Sequence, residues 1–371
     1  MPPKIKYLGL KKQFAISKPK IFKEYSRIFS NSSFILREDV KIFEKKISKI
    51  LNSKYAVGLN SGTDALFMAL IGSGIKTNDE VITVSHTPVM TISAIKHIGA
   101  KPIFVDIAND FNIDPDQIEK KITYQTKAIL VVHLNGRSCD MKKIMKIVKK
   151  HKLKLIEDCA QSIGTKYNNK PVGSFGEVGC FSLHPFKTLN VPGDGGFIIT
   201  SKKKIFEKIM LLRDHGLLLP KSKDVVKCFG VNSRLDNIHA ATALVHLRFL
   251  DKWIRTRRKI ASFYNKMLSD VNEISLPPKP ENKNIFYDTY NSYVIIAEKR
   301  NSLKKFLNNS GIEVLAMITK GIHLQKNLKL GKWFLPNTEN LGKKVLSLPI
   351  YPTLNLEEQN FIVKKIKDFY D

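Results

Sequence analysis

The run Cys180-Phe-Ser-Leu-His-Pro-Phe-Lys187-Thr-Leu-Asn-Val-Pro-Gly-Asp-Gly-Gly196 places one lysine between a short apolar strand that ends at Ser182 and a cluster of glycines. Upstream, a second apolar strand ends at Asp158. A lysine that is partly desolvated or crowded by other cations loses its proton more readily than one in water, so it can attach to an aldehyde. A nearby carboxylate can hold a proton on a pyridine nitrogen. Lys187 and Asp158 together therefore predict a site for pyridoxal 5'-phosphate (PLP).

A third segment, Asn60-Ser-Gly-Thr-Asp-Ala-Leu-Phe-Met-Ala-Leu70, follows the apolar run 55–59. This order predicts a strand, a tight turn at Gly62-Thr63 and an amphipathic helix. Free backbone N–H groups at a helix N-terminus attract phosphate, which favours a phosphate site at this turn. Each of the three parts has another interpretation by itself, respectively a solvated surface lysine, a helix-capping aspartate and an ordinary N-cap. Their combination is what favours a PLP site.

Short apolar strands alternate with helical segments in the first two thirds of the chain. The predicted strands are 81–84, 103–106, 128–132, 154–157, 179–182 and 196–200. Helices are predicted between them, as at 89–98 and 139–150. This alternation predicts an α/β fold of the PLP-transferase type, with a mostly parallel large-domain sheet covered by helices on both faces. In such a sheet the ligand lies at the carboxyl ends of the strands, where Asp158 and Ser182 are placed.

The pattern changes after Asp236. A long helix, straight or kinked, is predicted over about 237–268, and the proline-rich break Leu276-Pro-Pro-Lys-Pro280 follows it. Beyond the break, four segments indicate a small α+β domain: 290–297, 301–310, 311–314 and 356 onward. We therefore predict a large PLP-binding domain with an N-terminal arm over 1–245 and a small C-terminal domain over 246–371.

These segments, in this order and spacing, resemble the DegT/DnrJ/StrS family of sugar aminotransferases, which are PLP enzymes of the aspartate aminotransferase fold type. The resemblance extends along nearly the whole chain. Besides the block around Lys187, it includes the motifs Gly99-Ala-Lys-Pro-Ile-Phe-Val-Asp106, His133-Leu-Asn-Gly136, Arg213-Asp-His-Gly216 and Asn232-Ser-Arg-Leu-Asp236. The block that joins Lys187 to Gly193-Asp-Gly-Gly196 is highly specific, whereas Gly-Thr turns alone are common.

The resemblance implies roles for three residues around the cofactor ring. Lys187 matches the lysine that forms the Schiff base with PLP. Asp158 matches the partner of the pyridinium nitrogen. Gln161 matches a residue beside the ring, commonly near its 3-hydroxyl group.

The resemblance also implies how the cofactor phosphate is held. Gly62, Thr63 and Ser182 match the phosphate cup of the family. Asn232 matches an asparagine that reaches the phosphate from the neighbouring subunit. The implied assembly is a homodimer with shared active sites.

One position departs from the family. An aromatic residue often follows the threonine of the segment Ser85-His86-Thr87, where it can stack on the pyridine ring, and this chain has Pro88 instead. Either Pro88 packs on the ring or His86 takes the stacking role. His323 matches a histidine-containing stretch near the substrate in relatives, and a packing role fits a lone histidine equally well. His86 and His323 are kept as candidate substrate contacts.

The 371 residues carry 62 Lys and Arg against 33 Asp and Glu, for a net charge of +29. Such a charge is typical of proteins that bind nucleic acid. The lysines are spread over helix faces such as 141–150 and 201–208, however, so we expect no nucleic-acid partner. A positive cleft also speeds the capture of an anionic nucleotide sugar.

The four cysteines show no paired spacing, so the sequence indicates neither a disulfide framework nor a metal site, and they fit reduced thiols in the cytoplasm. No apolar run approaches the roughly 18 residues of a membrane span. The N-terminus Met1-Pro-Pro-Lys4 has no apolar signal core. A cytoplasmic protein without a membrane partner is the prediction.

By the resemblance, the activity is that of a PLP-dependent aminotransferase. It would move an amino group from an amino acid, most often glutamate in the family, to a keto sugar of a nucleotide diphosphate sugar, in amino sugar biosynthesis for surface polysaccharide or glycoconjugate. Two alternatives share the fold: a sugar dehydratase, in which histidine replaces the lysine, and a synthase of an aromatic amino acid precursor. An alternative of another class is a basic nucleic-acid-binding regulator without the cofactor.

Overall fold

The computed structural model describes residues 4–218, 225–281 and 285–371. Residues 1–3, which contributed to the prediction that no signal core is present, lie outside these ranges. Among the helices of the described ranges, none combines the length and the apolar character that a membrane span requires.

A seven-stranded sheet forms the centre of the molecule, and two three-stranded sheets accompany it. The strands of the described residues are β1 (Tyr55–Leu59), β2 (Glu80–Val84), β3 (Lys101–Val105), β4 (Thr126–Val132), β5 (Lys154–Asp158), β6 (Lys166–Tyr167), β7 (Lys170–Pro171), β8 (Val178–Ser182), β9 (Gly196–Thr200), β10 (Ile274–Ser275), β11 (Phe286–Tyr287), β12 (Tyr293–Ala297) and β13 (Val345–Leu348). The central order is β1-β9-β8-β5-β4-β2-β3. Only β9 runs antiparallel to its neighbours, which confirms the mostly parallel sheet.

Eleven α-helices lie in the described residues. They are α1 (Leu10–Ser30), α2 (Glu38–Ile50), α3 (Gly62–Gly72), α4 (Val89–His97), α5 (Met141–Lys150), α6 (Lys203–Leu212), α7 (Asn237–Leu247), α8 (Leu250–Met267), α9 (Arg300–Asn309), α10 (Pro336–Lys344) and α11 (Leu356–Tyr370). The single helix predicted over 237–268 is divided into α7 and α8. The backbone N–H groups of Arg248 and Phe249 bond three residues back rather than four, so the turn tightens there and the helix is interrupted.

Apolar residues of β9 show that both faces of the central sheet are covered. Ile198 packs into one buried cluster, which contains residues of α3, α5 and α6. Its neighbours Phe197 and Ile199 pack into another, which contains residues of α2, α7 and α8. Because successive side chains of a strand point to opposite faces, the two clusters lie on the two sides of the sheet. The predicted covering by helices is confirmed.

A separate buried cluster lies around the sheet β10-β12-β13. It contains residues of α8, α9 and α11 together with Ile5 from the N-terminal segment. Ile5 pairs with Ile312, so the N-terminal segment adds a short edge to this small α+β unit. Helix α8 contributes Ile254 to the core beside the central sheet and Ile260 to the small core. The predicted boundary between 245 and 246 therefore falls just before the helix that joins the two cores.

Candidate active site

A cavity of about 290 Å³ lies at the carboxyl ends of β5 and β8. It brings together six of the residues that the sequence analysis singled out: Gly62, Thr63, Asp158, Gln161, Ser182 and Lys187. A larger cavity of about 640 Å³ lies beside Asp110, Arg137 and Asp288, and none of the predicted site residues lines it. The smaller cavity is therefore the candidate active site.

Lys187 and Asp158 face this cavity with opposite charges. Burial lowers the pKa of the Lys187 amine from its usual value, and the attraction of Asp158 opposes that change. Burial raises the pKa of Asp158, while hydrogen bonds from Ala160 and Thr91 and the charge of Lys187 act in the opposite direction. A lysine that gives up its proton more easily, with a carboxylate in the same cavity, is suited to hold an aldehyde cofactor.

Asp158 is held in place by two hydrogen bonds at the end of β5. The Ala160 N–H donates to its Oδ1 at 3.1 Å, and the Thr91 hydroxyl donates to its Oδ2 at 2.9 Å. The Thr91 hydroxyl donates its proton to Asp158. In the 2.9 Å contact between Thr87 and Thr91, Thr87 is therefore the donor. The sequence analysis missed Thr91, since its contact with Asp158 spans 67 positions that no local pattern connects.

The start of α3 lies against the end of β8. Ser61 caps the helix by accepting the Asp64 N–H at 3.0 Å, and the first N–H groups of a helix have no acceptor inside it. A Cβ at Gly62 would lie 2.8 Å from the Cβ of Ser182, so this close approach requires glycine. The Thr63 and Ser182 hydroxyls border the same space. These donors fit a phosphate group, as the site of an anion at a helix N-terminus should.

Gln161 lies on the wall of the cavity and is 7% exposed. Its Oε1 accepts the backbone N–H of Asn135 at 2.9 Å. Asn135 has a φ of 58°, in the left-handed region that asparagine adopts more readily than most residues. The bond fixes the amide orientation of Gln161, because only the oxygen can accept.

Pro88 and the two histidines that were candidate substrate contacts differ in their position relative to the cavity. Pro88 lines the cavity, whereas His86 and His323 do not line it. His86 is 3% exposed and packs edge-on towards Phe111. The His323 Nδ1 lies 2.6 Å from the Ser85 hydroxyl, and its backbone N–H donates to the same oxygen. Both imidazoles thus have packing contacts away from the cavity, the alternative already open for His323.

Asn232 lies on the exposed surface of the chain and outside its cavity. It pairs with Asp214 as an isolated bridge. The next residue, Ser233, is buried and donates its hydroxyl proton to Asp64 at 2.7 Å. The Asn232 segment is therefore attached to the first turn of α3 while Asn232 itself faces outward.

Among the other residues that line the cavity, five carry groups that the sequence analysis did not single out: Tyr7, His184, Asn291, Ser292 and Met317. His184 lies inside the run that carries Lys187, so its position in that motif was an available signal. Its Nδ1 accepts the Phe186 N–H at 3.2 Å. The other four come from the N-terminal segment and from around the small sheet, far from the motifs along the chain.

Glu157, next to Asp158, is a fully buried carboxylate. The His133 Nδ1 accepts the Cys139 N–H, so its Nε2 carries the proton and donates to Glu157 at 3.1 Å. Three backbone N–H groups also donate to Glu157, from Gly173, Phe175 and Gly176. Although ligand atoms of His133, Glu157 and Cys159 lie within 4.8 Å of one another, these bonds already occupy the imidazole and both carboxylate oxygens. The cluster anchors the turn after β7.

Replacing this anchor should destabilise the fold. We expect Glu157→Ala to reduce the free energy of unfolding by about 3–5 kcal/mol, because His133 and three backbone N–H groups lose their acceptor inside the core. Thermal unfolding followed by circular dichroism measures the change. Glu177→Ala is the control, since the Glu177 side chain is about one-third exposed and its ion pair with Lys202 is long, at 4.0 Å. Equal unfolding midpoints for the two variants would show that Glu157 is no anchor.

Residues 16–367 match the DegT/DnrJ/EryC1/StrS aminotransferase family. The chain belongs to this family. Membership confirms the predicted resemblance, the predicted fold and the predicted aminotransferase activity, and the family implies PLP as cofactor. The family's PLP chemistry also accounts for the grouping of Lys187 and Asp158 with the cradle formed by Gly62, Thr63 and Ser182.

Individual members of the DegT/DnrJ/EryC1/StrS family resemble the chain along nearly its full length. A pleiotropic regulatory protein of Geobacillus stearothermophilus is 40% identical over 98% of this chain and 98% of its own. A UDP-N-acetyl-3-dehydro-alpha-D-glucosamine 3-aminotransferase of Acidithiobacillus ferrooxidans is 35% identical over 95% of each. The crystal structure of S. venezuelae DesV in complex with a ketimine intermediate superposes with a TM-score of 0.94 at 30% identity, over 100% of this chain and 99% of that one.

Proposed function

We propose that this family member binds PLP at Lys187 and transfers an amino group from an amino acid, with L-glutamate as donor, to the keto group of a nucleotide diphosphate sugar. The observation that carries the proposal is the meeting of Lys187, Asp158 and the Gly62–Ser182 cradle in one cavity. The Acidithiobacillus relative is named as an aminotransferase of a UDP-linked sugar, which supports a sugar nucleotide as acceptor. Amino sugar biosynthesis for surface polysaccharide or glycoconjugate is the corresponding role.

Different residues of the chain would bind the phosphate, the ring nitrogen and the aldehyde of PLP. When bound, PLP supplies an aldehyde and an electron-withdrawing ring. The N–H groups at the start of α3 and the hydroxyls of Thr63 and Ser182 would hold its phosphate. Asp158 would keep the proton on the pyridine nitrogen. Lys187 would attach to the aldehyde and, once displaced by the donor, act as the base that takes the proton from the donor's alpha carbon.

An assay with a panel of keto sugar nucleotides tests the acceptor. With L-glutamate as donor we expect an amino sugar nucleotide and 2-oxoglutarate for one member of the panel, detected by mass spectrometry. A protein that carries the yellow colour of bound PLP but aminates none of the sugars contradicts the proposed acceptor. A colourless protein that takes up no added PLP favours the regulator, a name that the Geobacillus relative bears.

We also propose a cytoplasmic homodimer in which each site uses Asn232 of the other subunit. The exposed position of Asn232 supports this, because a residue that serves a partner must be accessible on its own chain. The Ser233 hydroxyl bonds Asp64 at 2.7 Å, so the segment that carries Asn232 is tied to the first turn of α3. All four cysteines are free thiols, which is consistent with a reducing compartment.

Mixing two impaired variants tests the shared site, at a PLP concentration at which neither variant is active alone. Asn232→Ala should weaken PLP binding about tenfold or more, since the phosphate loses a charge-assisted hydrogen bond. In a heterodimer of Asn232→Ala with Lys187→Ala, one site has both an intact lysine and an intact asparagine. Random exchange makes half of the dimers heterodimers, each with half of its sites intact, so about a quarter of wild-type activity should return. If exchange is proven by mass and no activity returns, Asn232 serves its own subunit.

A further inference from the structure

The backbone of Lys187 is hydrogen-bonded on both sides. Its N–H donates to the carbonyl of His184 at 2.9 Å. Its own carbonyl accepts a proton from the Asn190 side-chain amide at 3.0 Å. Asn190 is 1% exposed, so this second bond lies in the interior. The lysine therefore projects into the cavity from a backbone that a buried side chain holds.

Asn190 is itself held by helix α7. The Nδ1 of His246 lies 2.8 Å from the backbone carbonyl of Asn190. Because a carbonyl only accepts, Nδ1 carries the proton, and the Nε2 must accept the hydroxyl proton of Ser17 at 2.9 Å. Ser17 lies on α1, and both it and His246 are fully buried. A hydrogen-bonded chain thus leads from α1 through α7 to the carbonyl of Lys187.

Two observations indicate that the hydrogen-bonded chain Ser17–His246–Asn190 has a role beyond packing. Within the described residues the Oδ1 of Asn190 is buried without a partner, which costs free energy, while its amide N–H bonds the Lys187 carbonyl. Burial also lowers the pKa of His246 to about 4, so the ring stays neutral and keeps the tautomer that the two bonds require.

We propose that Asn190 and His246 are positioning residues for Lys187, and that the chain Ser17–His246–Asn190 determines where the lysine amine points in the cavity. The inference rests on the proposed role of Lys187. A lysine side chain has many rotamers, so its placement depends on the backbone that carries it. A small displacement of a reacting group lowers a rate strongly even when binding is unchanged.

The test compares Asn190→Ala and His246→Leu with Thr242→Val. Thr242 is the matched control because it is fully buried on the same helix and also bonds α1, through the Tyr25 hydroxyl at 2.8 Å, whereas the hydrogen bonds seen for its side chain among the described residues reach Tyr25 and Ile238, not the Lys187 loop. His246→Asn is the conservative variant, since its amide N–H can replace the Nδ1–H of the imidazole. Thermal unfolding of all four variants records any general loss of stability.

The first measurement uses the protein without bound PLP. Competitive acetylation at a series of pH values, followed by peptide mass spectrometry, gives the pH at which Lys187 becomes reactive. For Asn190→Ala and His246→Leu this pH should rise by about one unit, because a mobile amine regains water and loses the burial that lowers its pKa. Thr242→Val should leave it unchanged.

The second measurement is the half-reaction of the PLP-loaded enzyme with L-glutamate. We expect the maximal rate constant of the half-reaction to fall about 10- to 100-fold in Asn190→Ala and His246→Leu, while the glutamate concentration that gives half of this rate changes less than about threefold. His246→Asn should recover most of the rate, and it carries the test together with Asn190→Ala if His246→Leu does not fold. Acetylation profiles equal to that of Thr242→Val overturn the positioning role. Shifted profiles in a chain that never reacts with glutamate support positioning and remove the proposed function instead.

Discussion

Lys187→Ala should lower the rate of transamination by at least about 10⁴-fold. If Lys187 has its proposed role, the variant loses the amine that attaches to the cofactor and the base that moves the substrate proton, and a positioned base alone contributes up to about that factor. The phosphate cradle stays intact, so PLP should still bind without a covalent bond. Equilibrium dialysis with PLP and a glutamate half-reaction assay separate the two effects.

The attachment point itself can be located by chemistry. Borohydride reduction of the PLP-loaded wild-type enzyme, followed by peptide mapping, should place the label on Lys187. Lys203→Ala is the matched control, because the Lys203 side chain is 74% exposed on α6 and should not affect turnover. A label on another lysine, or a Lys187→Ala variant that keeps turning over, would end the assignment.

Asp158→Asn should reduce turnover by about 10³-fold, which corresponds to about 4 kcal/mol of lost transition-state stabilisation. Asparagine keeps the shape, and its single oxygen can still accept the Ala160 N–H, while its NH2 group takes the place of the oxygen that faces the Thr91 hydroxyl. It cannot supply the negative charge that holds a proton on the pyridine nitrogen, so the ring withdraws electrons less strongly. The affinity for PLP should fall far less than kcat, which steady-state kinetics and a binding titration will show.

A control variant at a second aspartate distinguishes the effect of losing the charge from the effect of losing a helix cap. Asp140 caps α5 by accepting the Lys143 N–H at 3.2 Å, and it lies outside the cavity. Asp140→Asn therefore makes the same chemical change at a helix start, where asparagine is an equally good cap, and should leave turnover within about twofold. If Asp158→Asn behaves like Asp140→Asn, Asp158 is a structural aspartate and the pyridine partner must be sought elsewhere.

The positions of Lys187, Asp158 and Ser182 in the fold were predictable for two reasons. The buried strands of a parallel sheet are recognisable as short apolar runs, and their carboxyl ends meet at one edge of the sheet. The phosphate turn at Gly62 was predictable for a similar reason, since strand, glycine turn and helix are consecutive in the chain. Thr91 was not predictable in this way. Its hydrogen bond to Asp158 depends on how α4 packs beside β5.

The sequence by itself determined the fold class, the family and the motifs of the cavity, because each of these follows from residues that are neighbours along the chain or along one strand. Only the tertiary structure decided which groups complete the cavity. It brought Tyr7 and Ser292 to the site, turned His86 and His323 to other contacts, and joined His246 to the Lys187 loop. Those contacts link distant segments through the packing of helices on a sheet, and the local pattern of one segment does not show which distant segment it will meet.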